Sequence, residues 1–436
     1  MNTTPEAERS GRRRPWYQRI GPGLITACVV IGPGSILTSS KVGASNGYAV
    51  SWVVIVATVF MLTYMQLGAK LGVAISTSTG ELVTRRVGRW LAVLLGISIF
   101  SVTAAFQFGN NLGIQSAFNV YLSSRWATTL MVVFNGLSIL FLFGFRNLYR
   151  AIERMMMLFV AVMLVSFAVN LGFARPKLSE LAAGFVPRLE FSGDDMALLG
   201  LVGTTFVIAA AYFQSYLVQQ KGWNVEQMRD GLIDARIGAV IMALITLMIM
   251  TTAGTVLRGH ELGKVEDVAR QLQPLFGTFG QTLFCLGLFS AAYSSFLVNS
   301  MIGGYILADG LGLGGDPQGF WPRLFTVAVL LVGMSVGLFT IATGTNPVPA
   351  IVVAQAITVI ASPLIAAILW GFTSREDIMG ELKNGPVANA FAGVGLFVLL
   401  AIAIYTATVR IPTTWQRWRK AAAQQATLAP THQASK

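Results

Sequence analysis

Eleven apolar stretches, each near the ~20 residues that cross a ~30 Å hydrocarbon layer, follow one another from Ile20 to Val409 with short polar joints. They lie at about 20–40, 49–75, 90–121, 126–145, 154–173, 196–219, 237–257, 275–307, 324–341, 349–371 and 388–409. Inside lipid a backbone must satisfy its own polar groups, so the pattern predicts an all-α, multi-pass membrane protein. Composition agrees, with 54% hydrophobic and 11% charged residues; ordinary soluble domains carry about 25% charge. No stretch is left for a soluble domain.

The chain has 31 Lys plus Arg against 19 Asp plus Glu. In a soluble protein that excess would suggest nucleic acid, but here it sits in tails and joints, where the positive-inside rule explains it and no nucleic-acid partner is called for. Placing the N-terminus inside puts 17 basic residues on the inner side and 8 in the outer loops. The expected location is a bacterial cytoplasmic membrane with the N-terminus inside. The basic residues Arg410, Arg417, Arg419, Lys420 and Lys436 then fall on the outer side, against the rule. Arg9 to Arg19 precede a long first span without a small-residue cleavage site, which predicts a retained helix rather than a signal peptide.

Cys28 and Cys285 both lie in apolar spans, so neither a disulfide framework nor a CxxC metal site is expected. Lys70 is the one charge read as clearly inside a span, near enough to its end to snorkel. Glu226, Arg229, Asp230, Asp234 and Arg236 read as a solvated interfacial helix with near-neighbour ion pairs. His260 and His432 stand away from any carboxylate cluster, and no HExxH, Walker or nucleophile-elbow pattern occurs. The chain is expected to be no enzyme and to need no cofactor.

The interruption Gly32-Pro33-Gly34-Ser35 divides the first apolar run. Proline removes a backbone donor and clashes with the preceding turn, and the glycines ease departure from the helix. Two readings follow: a kink in an ordinary span, or an unwound segment whose freed carbonyls and amides face a substrate.

Several stretches together resemble the Nramp family of divalent metal transporters. Gly21-Pro22-Gly23, Gly32-Pro33-Gly34-Ser35, Gly43-Ala44 and Gly47-Tyr48 are similar to that family's GPG start, DPGN break and GA-x-x-GY exit. Ser290 to Ser295 with Gly303-Gly304-Tyr305 resembles its AAGQSS helix, Gln214 to Gln219 its HSxLxQ stretch, and Ala354-Gln355 with Ser362-Pro363-Leu364 its SQ and LPF elements. The resemblance implies the LeuT fold. A basic tail (1–19) would precede two inverted five-helix repeats (20–173 and 196–371), an eleventh helix (388–409) and a C-terminal tail (410–436). The first and sixth helices would be broken around a central site.

At that site the sequence departs from the family. The resemblance puts the metal-binding aspartate on Gly32 and the asparagine on Ser35. The MPH residues fall on Val207, Ile208 and Ala209, the acidic pair of the proton pathway on Gln107 and Asn110, and a further histidine on Gln214. Only the glutamine, Gln355, is kept. A dehydrated divalent cation wants charged oxygen ligands, and softer metals a thioether. The expected substrate-binding set is therefore Gly32, Pro33, Gly34, Ser35, Thr205, Val207, Ile208, Ala209 and Gln355. Asn111, Thr204, Tyr212 and Tyr293 are further neutral donors, and Ser294 with Ser295 forms a possible sodium site like that of other LeuT-fold carriers. Whether a metal is bound is left unknown.

Three functions remain open. One is a carrier of a substrate other than manganese or iron. A second is a divalent-cation carrier with a carboxylate-free site. A third is a membrane sensor or scaffold that has lost transport. The expected partners are a small solute or cation and the lipid bilayer; the oligomeric state is left unknown, with a monomer plausible. The sixth span has no Pro or Gly from Thr204 to Lys221, so its break is either held by tertiary contacts or missing.

Overall fold

A computed structural model describes residues 21–145, 147–187, 195–344, 348–410 and 412. Its first half runs α1 (Pro22–Val30), α2 (Pro33–Asn46), α3 (Ser51–Ala74), α4 (Thr79–Arg86), α5 (Arg89–Asn119), α6 (Ser124–Gly144), α7 (Leu148–Ala174) and α8 (Leu178–Ala183). The second half runs α9 (Asp195–Thr205), α10 (Ile208–Lys221), α11 (Met228–Val256), α12 (Val265–Gly310), α13 (Phe320–Thr343), α14 (Val348–Thr373), α15 (Glu376–Met379) and α16 (Pro386–Tyr405). Among the described residues there is no strand.

Among the described residues, nine helical segments are long and apolar enough to cross a membrane, and α1 with α2 passes as one span bent by 60°. Helix α14 adds 26 residues, of which Ile360–Thr373 is described as an apolar helix. The nine spans and the bent pair, with α14 counted as a further crossing, reach the eleven expected from hydropathy. The end of the bundle where Gly21 begins is called the entry face, and the opposite end the far face.

Two seams of small residues bring helices close. A Cβ on Gly23 would lie 2.4 Å from the Asp234 carbonyl oxygen, and one on Gly43 2.1 Å from that of Met250. Gly238 and Gly254 answer from α11, the first with only 2.3 Å of room before the Gly23 carbonyl oxygen. Helix α11 thus follows both halves of the broken first span, backbone against backbone, the mode of contact that small residues permit in membranes. Gly68 and Gly72 of α3 do the same against Ala211 and Ser215 of α10.

Helix ends are tied locally and at a distance. Asn147 caps α7 by accepting from the Arg150 amide at 3.1 Å, and Ser78 caps α4 by accepting from that of Glu81 at 3.2 Å. Helix α12, 46 residues long, bends at Gly277, whose φ of 67° is the left-handed region open to glycine. Its first part meets the far end of α5, where Ser116 and Asn119 donate to the Glu266 carboxylate, both at 3.0 Å.

Candidate functional site

The first break is a true unwinding. Ile31 (φ −87°, ψ 81°) ends α1, and extended Gly32 (φ −114°, ψ 179°) opens α2 with Pro33 at its first position. Pro33 is well suited there, since its missing N–H is one that the first turn leaves unbonded anyway. No side chain caps α2, so its first-turn amides point at mid-bundle with the positive end of the helix dipole.

The sixth span is also broken. Phe206 and Val207 separate α9 from α10 without the large bend of the first span. Tertiary packing holds this break. The Phe206 ring lies 5.4 Å from that of Tyr64 and 5.9 Å from that of Phe60, and the Tyr64 hydroxyl donates to the Ala392 carbonyl at 2.8 Å.

Around the first break the neutral residues converge. A Cβ on Gly32 would sit 3.2 Å from Ser295 Oγ and 3.3 Å from Asn110 Oδ1, so α2, α5 and α12 meet at this glycine. Ser295 donates to the Val29 carbonyl at 3.2 Å, while Ser294 turns to Ala291 of its own helix, also at 3.2 Å. Pro33 is seated on Gly113, where a Cβ would come within 2.1 Å of its Cγ. Ser35 is buried, and its carbonyl accepts from Thr38, whose hydroxyl also meets Thr204 at 3.2 Å. At the second break Thr205 Oγ1 is buried with no partner, and Val207, Ile208 and Ala209 offer only apolar side chains. Gln355 belongs to α14, and its side chain lies outside the described residues.

Other expected members turn elsewhere. Asn111 accepts from Asn135 of α6 at 2.7 Å, and Tyr293 accepts from Ser138 at 3.1 Å within a cluster of aromatic rings. Gln107 of α5 is buried against Gly333 of α13. It accepts from Asn110 at 3.4 Å and leaves its own Nε2 without a partner. Gln214 meets Thr26 Oγ1 at 2.5 Å, and with its nitrogen turned to α1 it also donates to the Pro22 carbonyl at 3.0 Å. Tyr212 is buried in α10.

Access to the centre differs between the two faces. Every residue of α1 is buried, as is α10 from Ile208 to Val218, which seals the entry side. On the far side, α2 exposes Gly34 and Ser45 and leaves Leu37 and Lys41 half-buried between them. A Cβ on Gly34, Gly109 or Gly203 would find nothing within 4 Å, so each of these glycines borders unfilled space.

Apart from Lys70, the one charge read within the spans, two carboxylates just outside the expected spans are buried. Asp234 is fully buried in α11, where its oxygens accept the amides of Gly21 at 2.8 Å and Gly23 at 2.5 Å. Asp309, near the end of α12, accepts from Ser78 at 2.6 Å, the Gly80 amide at 2.8 Å and the Tyr216 hydroxyl at 2.5 Å. In the segment 226–236, Glu226, Arg229 and Arg236 are exposed as expected of a solvated helix, and Asp234 is the exception. It is stabilised by amides more than 200 positions away in the chain. Among the described residues, no group of three or more His, Cys, Asp or Glu is placed to hold a metal ion.

Comparison with known proteins places this geometry. The family model described as "Natural resistance-associated macrophage protein-like" matches residues 23–408. The divalent metal cation transporter MntH of Verminephrobacter eiseniae is 29% identical over 411 residues, with 90% of each chain covered. The rice metal transporter Nramp1 is 24% identical and covers 93% of this chain and 82% of its own. Among solved structures, the Eremococcus coleocola manganese transporter superposes with a TM-score of 0.76 at 16% identity, covering 90% of this chain and 86% of its own. MhsT in complex with L-phenylalanine superposes with 0.57 at 14% identity, covering 90% and 98%. Both likenesses are of fold, and the fold is the LeuT type.

Proposed function

The chain belongs to the Nramp family of membrane transporters, and from that premise we propose that it carries a small neutral or zwitterionic polar solute, not manganese or iron, by alternating access. What carries this reading is the chemistry around Gly32. The groups facing it are the Ser295 hydroxyl and the Asn110 amide, and a Cβ at Gly32 would already press on both. The position therefore has neither a carboxylate nor space for one without displacing its neighbours. A divalent cation at mid-membrane, met only by neutral oxygens, would face a desolvation penalty of several kcal/mol for want of an opposing charge.

The neutral set suits a solute with both donors and acceptors. The uncapped first turn of α2 presents amides to a carbonyl or carboxylate, and Ser35, Asn110, Thr205 and Gln355 complete the proposed pocket. Val207, Ile208 and Ala209 form its apolar wall. Ser294 and Ser295, beside the last carbonyls of α1, are the proposed sodium position. The repeats are proposed at 20–173 and 196–371, which makes the two breaks equivalent. The entry face is taken as cytoplasmic, and the membrane as a bacterial inner membrane.

A second reading is favoured by the relatives, since the bacterial proteins matched here carry the name divalent metal cation transporter. Here a cation keeps part of its water and is read by Ser35, Gln355 and backbone carbonyls. Manganese uptake into proteoliposomes, with and without a pH gradient, separates the two. Saturable uptake would overturn the first reading. A thermal-stability screen against amino acids, small organic solutes and metals tests both, and a stabilising hit lost in Ser35→Asp places it at the break.

A further inference from the structure

The centre between the breaks is uncharged, yet α1 begins at a buried charge. Asp234 of α11 takes the Gly21 and Gly23 amides, which are the N-cap and second positions of α1, and Pro22 between them has no amide to give. No side chain of α1 caps its own first turn, so Asp234 is the group that does so, from another helix. Beside it, Lys221 of α10 pairs with Glu153 of α7, and both approach Gly21 together with the Tyr149 hydroxyl. Asp234 thus faces the α1 amides, Tyr149 and Glu153 from α7, and Lys221 from α10. The Lys221 and Glu153 side chains are 14% and 13% exposed, which leaves this cluster a wet edge at the entry face.

A carboxylate bonded to both free amides of a first turn holds that helix through charge and dipole together. Protonated, the same group loses its charge, and one of its oxygens becomes an O–H donor and a much poorer acceptor for an amide. Asp309 marks the contrast. It is tied just as closely, but to α4 and α10 rather than to either half of the broken first span.

We propose that Asp234 is a proton-binding site that latches α1: ionised, it seals the centre from the entry face, and protonated, with the proton taken from entry-face water, it lets α1 swing away from α11. The proposal rests on the alternating-access reading only in requiring that α1 move, and it is independent of the solute. It supplies a place for a coupling proton in a chain whose third and sixth spans hold neutral residues at the expected positions.

The native Cys28 is the reporter. It is buried in α1, with its Sγ 3.9 Å from the Met156 carbonyl oxygen. In full-length Cys285→Ala protein in lipid nanodiscs it is the one remaining thiol, and its alkylation by a small uncharged maleimide reads how often α1 opens. Each rate is divided by that of the detergent-unfolded chain at the same pH, which removes the intrinsic pH dependence of the thiol. The normalised rate is expected to rise severalfold on acidification from about pH 8 to about pH 5, and Asp234→Asn is expected to be fast and flat across that range. Lys221→Gln, which removes an ammonium favouring the ionised carboxylate, is expected to move the midpoint to higher pH. A flat wild-type profile, or an Asp234→Asn profile that still follows pH, would overturn the latch. If Asp234→Asn does not purify as a single species, an unmoved midpoint in Lys221→Gln overturns it instead. A flat profile beside a solute hit in the stability screen would remove the latch and leave the carrier reading standing.

Discussion

The two breaks do the same thing to a helix by opposite means. In the first, Gly32-Pro33-Gly34 forbids regular continuation on its own, and the two halves bend by 60°. In the second, Phe206-Val207 has neither Pro nor Gly, and the span is not bent by more than 40°. Its interruption is held from outside, by the seating of Phe206 against Phe60 and Tyr64. A break built into the local sequence survives changes in its neighbours, whereas one imposed by packing does not.

Substitutions sharpen that contrast. The largest effect is expected from Phe206→Ala, which empties a buried aromatic site at a cost of about 3–5 kcal/mol. It should lower the thermal midpoint most and let α9 and α10 join, read as slowed amide exchange at 206–210. Gly113→Val comes next, because its Cβ would collide with the rigid Pro33 ring. Overpacking of this kind costs about 1–3 kcal/mol, and here the first break should persist while its seat is displaced. Pro33→Ala should lower stability by less than about 1 kcal/mol, chiefly through the unfolded chain, and leave the break open. Healing of α1 into α2 in that single variant, seen as new exchange protection at 31–35, would refute local encoding.

The smallest effect belongs to an exposed pair remote from both breaks. The hydrogen bond and charge of Arg375 hold the Asp377 carboxyl below its ordinary range. A carboxyl with a depressed folded value adds stability above its unfolded value and loses it as pH falls through the folded one. Arg375→Gln should therefore lower the thermal midpoint only slightly, and evenly, between about pH 5 and pH 8, and the difference from wild type should vanish as pH falls below about pH 4.

The same contrast explains what could be read from the chain. The crossings, the first break and the approach of Ser295 to it follow from hydropathy, Gly-Pro chemistry and family likeness, all of them near-neighbour information. The second break is implied by the likeness alone and by nothing local, because Phe206 looks like any apolar residue until Tyr64 is known to lie beside it. Asp234 was hidden for the same reason. Its neighbours Asp230 and Arg236 suggest a wet surface, and nothing local indicates that its partners are the amides of residues 21 and 23. Among the neutral candidates, Asn110 and Asn111 are adjacent in sequence yet part company, one turned to Gly32 and the other to Asn135. A helix position sets that division, and composition cannot.

Helix α11 meets both halves of the first span through glycines, with carbonyls rather than side chains at closest approach. Interlocked side chains act as gear teeth and would have to change rotamer whenever one helix tilted on another. A smooth track of this kind lets α1 and α2 pivot separately at little energetic cost. It also fixes where the chain cannot afford to drift: Gly23, Gly43 and Gly238 are the residues whose enlargement would jam it.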